Sequence, residues 1–195
     1  MTEERLNYVS FSVPFSETGL VLLISNANKE GITSFSALAD QTAIKYGLLN
    51  GGSTYALFRD STDPTLKKMW DKMNEEPTES FVTSLTNGSH KVKTQPFALV
   101  VEKSFAEYIT GKDCDLTYIE DIEQYNPRAY AIALAKGSPH LDKFNKAINV
   151  LKSSGQLENL RNRYWKKCGV LSGVTIRVSL FLRSECFLLT NKIIL

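Results

Sequence analysis

Phe97-Ala98-Leu99-Val100-Val101-Glu102 is the stretch that decides the fold. Five apolar residues run without a break, as in a buried strand, and the run stops at an acid. A helix is expected directly afterwards, from about Lys103 to Thr110. An apolar strand feeding straight into a helix belongs to an α/β sheet, and ligands of such sheets bind at the carboxyl ends of the strands, where Glu102 falls.

Working outward, Leu20-Val21-Leu22-Leu23-Ile24 is a second buried strand and Ile44 to Leu48 a third. Asn26 to Ser36 is polar and turn-rich and is expected to be a junction, followed by a short helix from about Phe35 to Gln41. Asn50-Gly51-Gly52 makes a turn, after which Ser53-Thr54 are expected to open a helix in an N-cap arrangement. Pro64 starts another helix at its first turn, with Leu66, Met69, Trp70 and Met73 on one face. Tyr130 to Ala135 is a further strand. Two closing helices carry Leu141, Phe144, Ile148 and Leu151, and then Leu157, Leu160 and Tyr164. Strands alternating with helices predict an α/β sheet covered by helices.

Composition narrows the function. The chain has 195 residues, 43% hydrophobic and 23% charged, which is ordinary for a globular protein, so disorder is not expected. Its 23 basic and 21 acidic residues give a formal charge of +2, without a basic block interleaved with aromatics, so no nucleic-acid partner is expected. No apolar stretch reaches the ~18 to 20 residues that a membrane helix needs. The segment Val170 to Leu195 is interrupted by Arg177, Arg183, Glu185 and Lys192, and Met1-Thr2-Glu3-Glu4-Arg5 lacks the basic start of a secretory signal. Taken literally, the chain is expected to be neither secreted nor membrane-inserted.

No cofactor or metal is expected: there is no Cys-x-x-Cys, and His90 and His140 are far apart. Cys114, Cys168 and Cys186 are an odd number that fits free thiols as well as one disulfide. No catalytic residue is assigned, because neither a Ser-His-Asp nor a Cys-His set can be assembled and Glu102 alone cannot run acid–base chemistry. Asn87-Gly88-Ser89 has the form of a glycosylation sequon.

Two polar groups stand at element ends. Gly52-Ser53-Thr54 puts backbone N–H groups and two hydroxyls at a helix start, where the dipole favours an anion such as a carboxylate. Glu102 suits an amine. The plainer description, a hydroxyl cap and a solvated acid, fits the same spacing.

A family resemblance separates these readings. Ala37-Leu38-Ala39-Asp40-Gln41-Thr42-Ala43-Ile44-Lys45-Tyr46-Gly47, Gly52-Ser53-Thr54 and Met69-Trp70-Asp71-Lys72-Met73 are similar, in order and spacing, to the second ligand-binding segment of AMPA- and kainate-type ionotropic glutamate receptors. The similarity continues through Phe97 to Glu102, Cys114-Asp115-Leu116, Lys136-Gly137-Ser138-Pro139 and Arg163-Tyr164-Trp165-Lys166-Lys167-Cys168. Arg5 with Phe11-Ser12-Val13-Pro14-Phe15 resembles the end of the first segment. Residues 2 to 169 are covered. The fold implied is the two-lobed clamshell of type II periplasmic binding proteins, an α/β fold.

Site residues follow from the resemblance position by position. Arg5 matches the arginine that grips the α-carboxylate, Ser53 and Thr54 the pair that holds carboxylate oxygens, and Glu102 the acid that pairs with the ammonium. Arg128 and Tyr130 match groups that support that acid, although Tyr130 serves equally well as core packing. Cys114 and Cys168 match the structural disulfide, whereas Cys186 has no counterpart.

The departures from the family are large. It places much of lobe 1 before Arg5 and its pore between Ser25 and Ser34, and alanines stand at 129 and 131 where it has glycines. The organisation implied is a partial ligand-binding domain over 1–169, with lobe 2 complete over about 16–128, lobe 1 remnants at 1–15 and 129–169, and an unassigned tail at 170–195. The function implied is a glutamate-binding module of a ligand-gated channel, as a fragment or splice product without channel activity of its own. Its partners would be L-glutamate or a related amino acid and other receptor subunits, on the extracellular side of the plasma membrane. The alternatives are a free-standing solute-binding protein of an amino-acid transporter and a non-binding decoy subunit.

Overall fold

The computed structural model describes residues 3–121, 128–165 and 168. In chain order the elements are α1 (Glu3–Leu6), β1 (Val9–Phe11), β2 (Ser16–Thr18), β3 (Leu20–Ser25), α2 (Phe35–Asp40), β4 (Lys45–Leu49), α3 (Gly52–Asp60), α4 (Pro64–Glu75) and α5 (Pro77–Ser80). They continue with β5 (Phe81–Val82), α6 (Leu85–Thr94), β6 (Phe97–Glu102), α7 (Lys103–Thr110), β7 (Leu116–Ile119), β8 (Arg128–Tyr130), β9 (Ala133–Ala135), α8 (Leu141–Ser153) and α9 (Gln156–Tyr164).

Five strands form the main sheet in the order β5-β4-β6-β3-β7, with β4 parallel to β5 and β6, and β3 antiparallel to β6 and β7. Both faces of this sheet are covered. On one, Leu22, Ile24, Leu48 and Val100 pack with Phe35 and Leu38 of α2 and Leu66, Met69 and Met73 of α4. On the other, Val21, Leu23, Leu99 and Val101 pack with Val92 of α6 and Ala106 of α7. Alternate residues of β3 and β6 therefore enter opposite cores. That is why their apolar runs are unbroken.

Local signals set several helix starts. The Ser34 side chain accepts from the Ala37 N–H, Asp63 accepts from Leu66 N–H with Pro64 in the first turn, and Ser84 accepts from Asn87 N–H. Ser53-Thr54 behave differently from expectation: the cap position is Gly51 and the helix begins at Gly52, so both hydroxyl residues lie within its first turn.

The expected strand from Tyr130 to Ala135 is two short ones with different partners. β8 pairs antiparallel with β2, Tyr130 opposite Ser16, and β9 with β1, Ala135 opposite Val9. Ser12 lies between the two ribbons: its N–H donates to the Ile132 carbonyl at 2.9 Å and its hydroxyl accepts from the Ile132 N–H at 3.0 Å. Two residues of continuous pairing are thereby replaced by a side-chain bridge. Among the described residues no helix is long and apolar enough to cross a membrane. The expectations for Cys186 and for Val170 to Leu195, and any role of the Arg128 side chain, fall outside what is described.

Candidate functional site

The sheet brings the predicted polar groups to one edge. β4 and β6 are parallel neighbours with Leu48 opposite Val100, so their carboxyl ends coincide. Beyond β4 the chain turns through Gly51 and Gly52, at φ +76° and +80°, a conformation open at low cost only to glycine. α3 then starts with Gly51 at its cap position, and Ser53 and Thr54 stand in its first turn. First-turn N–H groups have no intrahelical acceptor, which makes this end of the helix suited to an anion. β6 ends on Glu102, and α7 starts at the next residue.

Glu102 is half-buried and held by a tyrosine. The Tyr130 hydroxyl donates to its Oε2. A second hydroxyl, that of Ser104, lies 3.0 Å from the Tyr130 oxygen. Tyr130 is itself positioned by β8, by the bond from Phe15 N–H to its carbonyl at 2.9 Å and by its stacked contact with the Phe15 ring at 6.4 Å. Burial, and next the bond to Glu102, raise the phenol's pKa above its ordinary value. It therefore stays neutral at physiological pH and keeps the proton it donates. Packing and support of the acid are thus combined in one residue.

Arg5 stands apart. It lies exposed on the single turn of α1, where its carbonyl accepts from Tyr8 N–H at 3.1 Å. No hydrogen bond or ion pair joins it to Ser53, Thr54 or Glu102 among the described residues. α1 packs against β1, the strand ribbon next to the main sheet rather than the sheet itself. The structure thus brings together Ser53, Thr54, Glu102 and Tyr130 at one sheet edge, without Arg5.

Sequence reasoning missed Ser104 and the residues that hold it. Its signal was faint: a hydroxyl in the first turn of a helix two residues after the acid. The Ser104 N–H donates to Thr18 Oγ1 at 3.4 Å, and its carbonyl accepts from the Trp165 indole N–H at 2.9 Å. Trp165 follows α9, which is fastened to α7 by an ion pair of Arg161 with Glu107. Cys114 and Cys168 form a disulfide with Cα atoms 5.5 Å apart and a sequence separation of 54. A cavity of about 490 Å³ lies beside Ser104 and Tyr130, walled by Phe15, Leu157, Leu160 and Trp165.

Asn87 is exposed in the first turn of α6, with its Nδ2 donating to Thr83 Oγ1 at 3.2 Å. Ser89 of the same sequon is buried, its hydroxyl donating to the Leu85 carbonyl. Among the described residues no group of three or more His, Cys, Asp or Glu is placed to hold a metal.

Comparison with known proteins agrees with this architecture. The model of the bacterial extracellular solute-binding proteins, family 3, matches residues 1–167. The chain is 37% identical over 134 residues to the kainate-type ionotropic glutamate receptor glr-3 of Caenorhabditis elegans, covering 69% of this chain and 16% of that protein. It is 34% identical over 139 residues to the ionotropic glutamate receptor kainate 4 of Homo sapiens, covering 70% of this chain and 14% of the relative. Among solved structures it resembles Drosophila muscle GluRIIB in complex with glutamate, with a TM-score of 0.74 and 27% identity, over 86% of this chain and 66% of that one. The chain thus spans about a sixth or less of the curated relatives it matches. With the family model matched over residues 1–167, the chain belongs to the bacterial extracellular solute-binding proteins, family 3, and within their periplasmic-binding-protein-like α/β fold it is similar to ionotropic glutamate receptors of the kainate type.

Proposed function

We propose that the chain is the amino-acid-binding module of an ionotropic glutamate receptor, that glutamate is its ligand, and that binding rather than catalysis is its activity. The observation that carries this reading is the pairing of opposite chemistries at one sheet edge. A helix start with glycine at its cap position and Ser53 and Thr54 in its first turn offers donors to a carboxylate, and Glu102, held by Tyr130, offers an acceptor to an ammonium. The similarity to Drosophila muscle GluRIIB in complex with glutamate supports the same ligand.

In this reading lobe 2 is the five-stranded sheet with its helices, about residues 16–128, and residues 1–15 and 129–169 belong to lobe 1. Arg5 is the second clamp for the α-carboxylate, brought to the ligand when the lobes close. Arg128 supports Glu102, and Asn87 carries a glycan. The module faces the extracellular side of the plasma membrane and works with other receptor subunits. Glu102 is long enough to reach the ammonium directly, and the Thr54 hydroxyl favours a ligand with a second carboxylate.

Calorimetry with glutamate and glycine tests this on the full chain and on a graft of Arg5 to Trp165 in a complete receptor domain. Glutamate should bind more tightly than glycine. Glu102→Gln and Arg5→Lys should each cost about 2 to 5 kcal/mol if these charges are desolvated in the complex. Tighter binding of glycine, or indifference to both substitutions, would show that this clamp is not used. The family match also favours a free-standing solute-binding protein that delivers amino acids to a transporter. Pull-down of an intact receptor subunit by the full chain separates the two, since only the receptor module should associate with one.

A further inference from the structure

We propose that Ser104 is a positioning residue for the amine end of the site, and that Trp165 holds it in place. This rests on the reading of Glu102 as the ammonium's partner. The direction of the hydrogen bonds follows from counting protons. Tyr130 has one hydroxyl hydrogen and gives it to Glu102 Oε2, so in the 3.0 Å contact between Ser104 and Tyr130 the serine must be the donor. The result is a relay from Ser104 Oγ–H to Tyr130 Oη, and from Tyr130 Oη–H to Glu102 Oε2. Each donor polarises the next, and the relay ends on the Glu102 oxygen, fixing the orientation of the carboxylate that faces an ammonium.

Ser104 is held on its two other sides as well. Its N–H reaches Thr18 Oγ1 at 3.4 Å and its carbonyl takes the indole N–H of Trp165 at 2.9 Å. Thr18 is buried on β2, in the ribbon that also carries Tyr130's partner Ser16. Trp165 ends α9, the helix that Arg161 pairs to Glu107 of α7. One residue therefore joins the acid, the crossing ribbon and α9. The seating of α9 against α7 should consequently be felt at Glu102, and loss of the indole bond should loosen the first turn of α7, which carries the serine.

The test uses the full chain with two ligands, glutamate and glutarate, its analogue without the amine. Ser104→Ala should weaken glutamate by roughly two- to tenfold, the net worth of one neutral hydrogen bond, and leave glutarate unchanged. Ser104→Thr, which keeps the donor, should restore glutamate binding to within about twofold. Trp165→Phe should act in the same direction as Ser104→Ala and more weakly. A purely structural role would weaken both ligands together, and that result overturns the proposal. If Glu102→Gln weakens glutamate but Ser104→Ala does not, the relay is wrong while the site reading stands. If the wild-type chain binds neither ligand, the site reading itself falls, and this inference with it. A ligand-free measurement stands beside these. The serine's hydrogen bond favours the phenolate, so NMR titration should find the Tyr130 pKa higher in Ser104→Ala; an unchanged value overturns the relay.

Discussion

The main sheet with its covering helices and the pair of helices α8 and α9 hold together by different means. In the sheet, Leu22, Leu23, Leu48 and Leu99 are fully buried between two helical layers. In the pair, α8 buries only Ile148 and α9 buries nothing, while Val150, Leu160 and Tyr164 are 63%, 48% and 60% exposed. The helices over the sheet and α8 are both amphipathic, but among the described residues only the former have their apolar face covered. The pair is attached at points: the disulfide, the Arg161–Glu107 pair, the Trp165–Ser104 bond and the bond from Val13 N–H to Asn145 Oδ1 at 2.8 Å. Periodicity reports which face is apolar and says nothing of what covers it.

The widest contrast should appear when one leucine or valine is shortened in each region. Leu99→Ala empties space between β6 and α6 and should cost about 3 to 5 kcal/mol in urea unfolding, whereas Val150→Ala should stay within about 0.5. Comparable losses at the two positions would mean that the face of α8 is covered in solution.

Removing the disulfide should have a smaller and more local effect. Cys114→Ser opens a loop that on the chain-entropy account is worth about 4 kcal/mol, with about 2 to 4 usual. The loss should concentrate where the attachment is. Amide exchange should speed up across α9 while β3 and β6 keep their protection. Uniform acceleration would show that the two regions unfold as one unit.

What the sequence disclosed follows the same division. β3 and β6 were legible because two-sided burial demands an unbroken apolar run, and α4 because Pro64 and the spacing of Leu66, Met69 and Met73 agree. α6 was not, since Thr86-Asn87-Gly88-Ser89 in its first half are poor helix formers. The physical reason for Gly88 lies outside the helix: a Cβ there would stand 2.6 Å from Leu99 Cδ2. Gly88→Ala should therefore destabilise by about 1 to 2 kcal/mol, the overlap outweighing a gain in helix propensity of up to about 1. An increase in stability would show that Leu99 yields. At the site, Glu102 and Ser53-Thr54 stood out at element ends, but a solvated acid and a hydroxyl cap fitted the same spacing, and only the family resemblance separated the readings. Ser104 did not stand out, because its role depends on Trp165 and Tyr130, which only the tertiary fold brings to it.

The sheet region has one flaw, and it supplies the smallest effect. Tyr46 on β4 is 4% exposed, and its hydroxyl is buried without a hydrogen-bond partner among the described residues. Burial above all, with the nearby carboxylates of Glu75 and Asp40, pushes its pKa up to about 12 from the ordinary 10.0. Between pH 10 and 12 the unfolded chain gives up this proton while the folded chain retains it, so stability must fall as pH rises through that window. It is intact below pH 10. The shift corresponds to a loss of about 2 kcal/mol over the window. Tyr46→Phe removes both the orphan hydroxyl and the titration. At neutral pH it should raise stability by about 1 kcal/mol, since an unpaired buried hydroxyl costs about 1 to 3. The mutant's alkaline limb should be shallower than that of the wild type. If Tyr46→Phe instead destabilises the protein, the hydroxyl has a bonding partner in solution, and the sheet region is as completely satisfied in its polar groups as in its apolar ones.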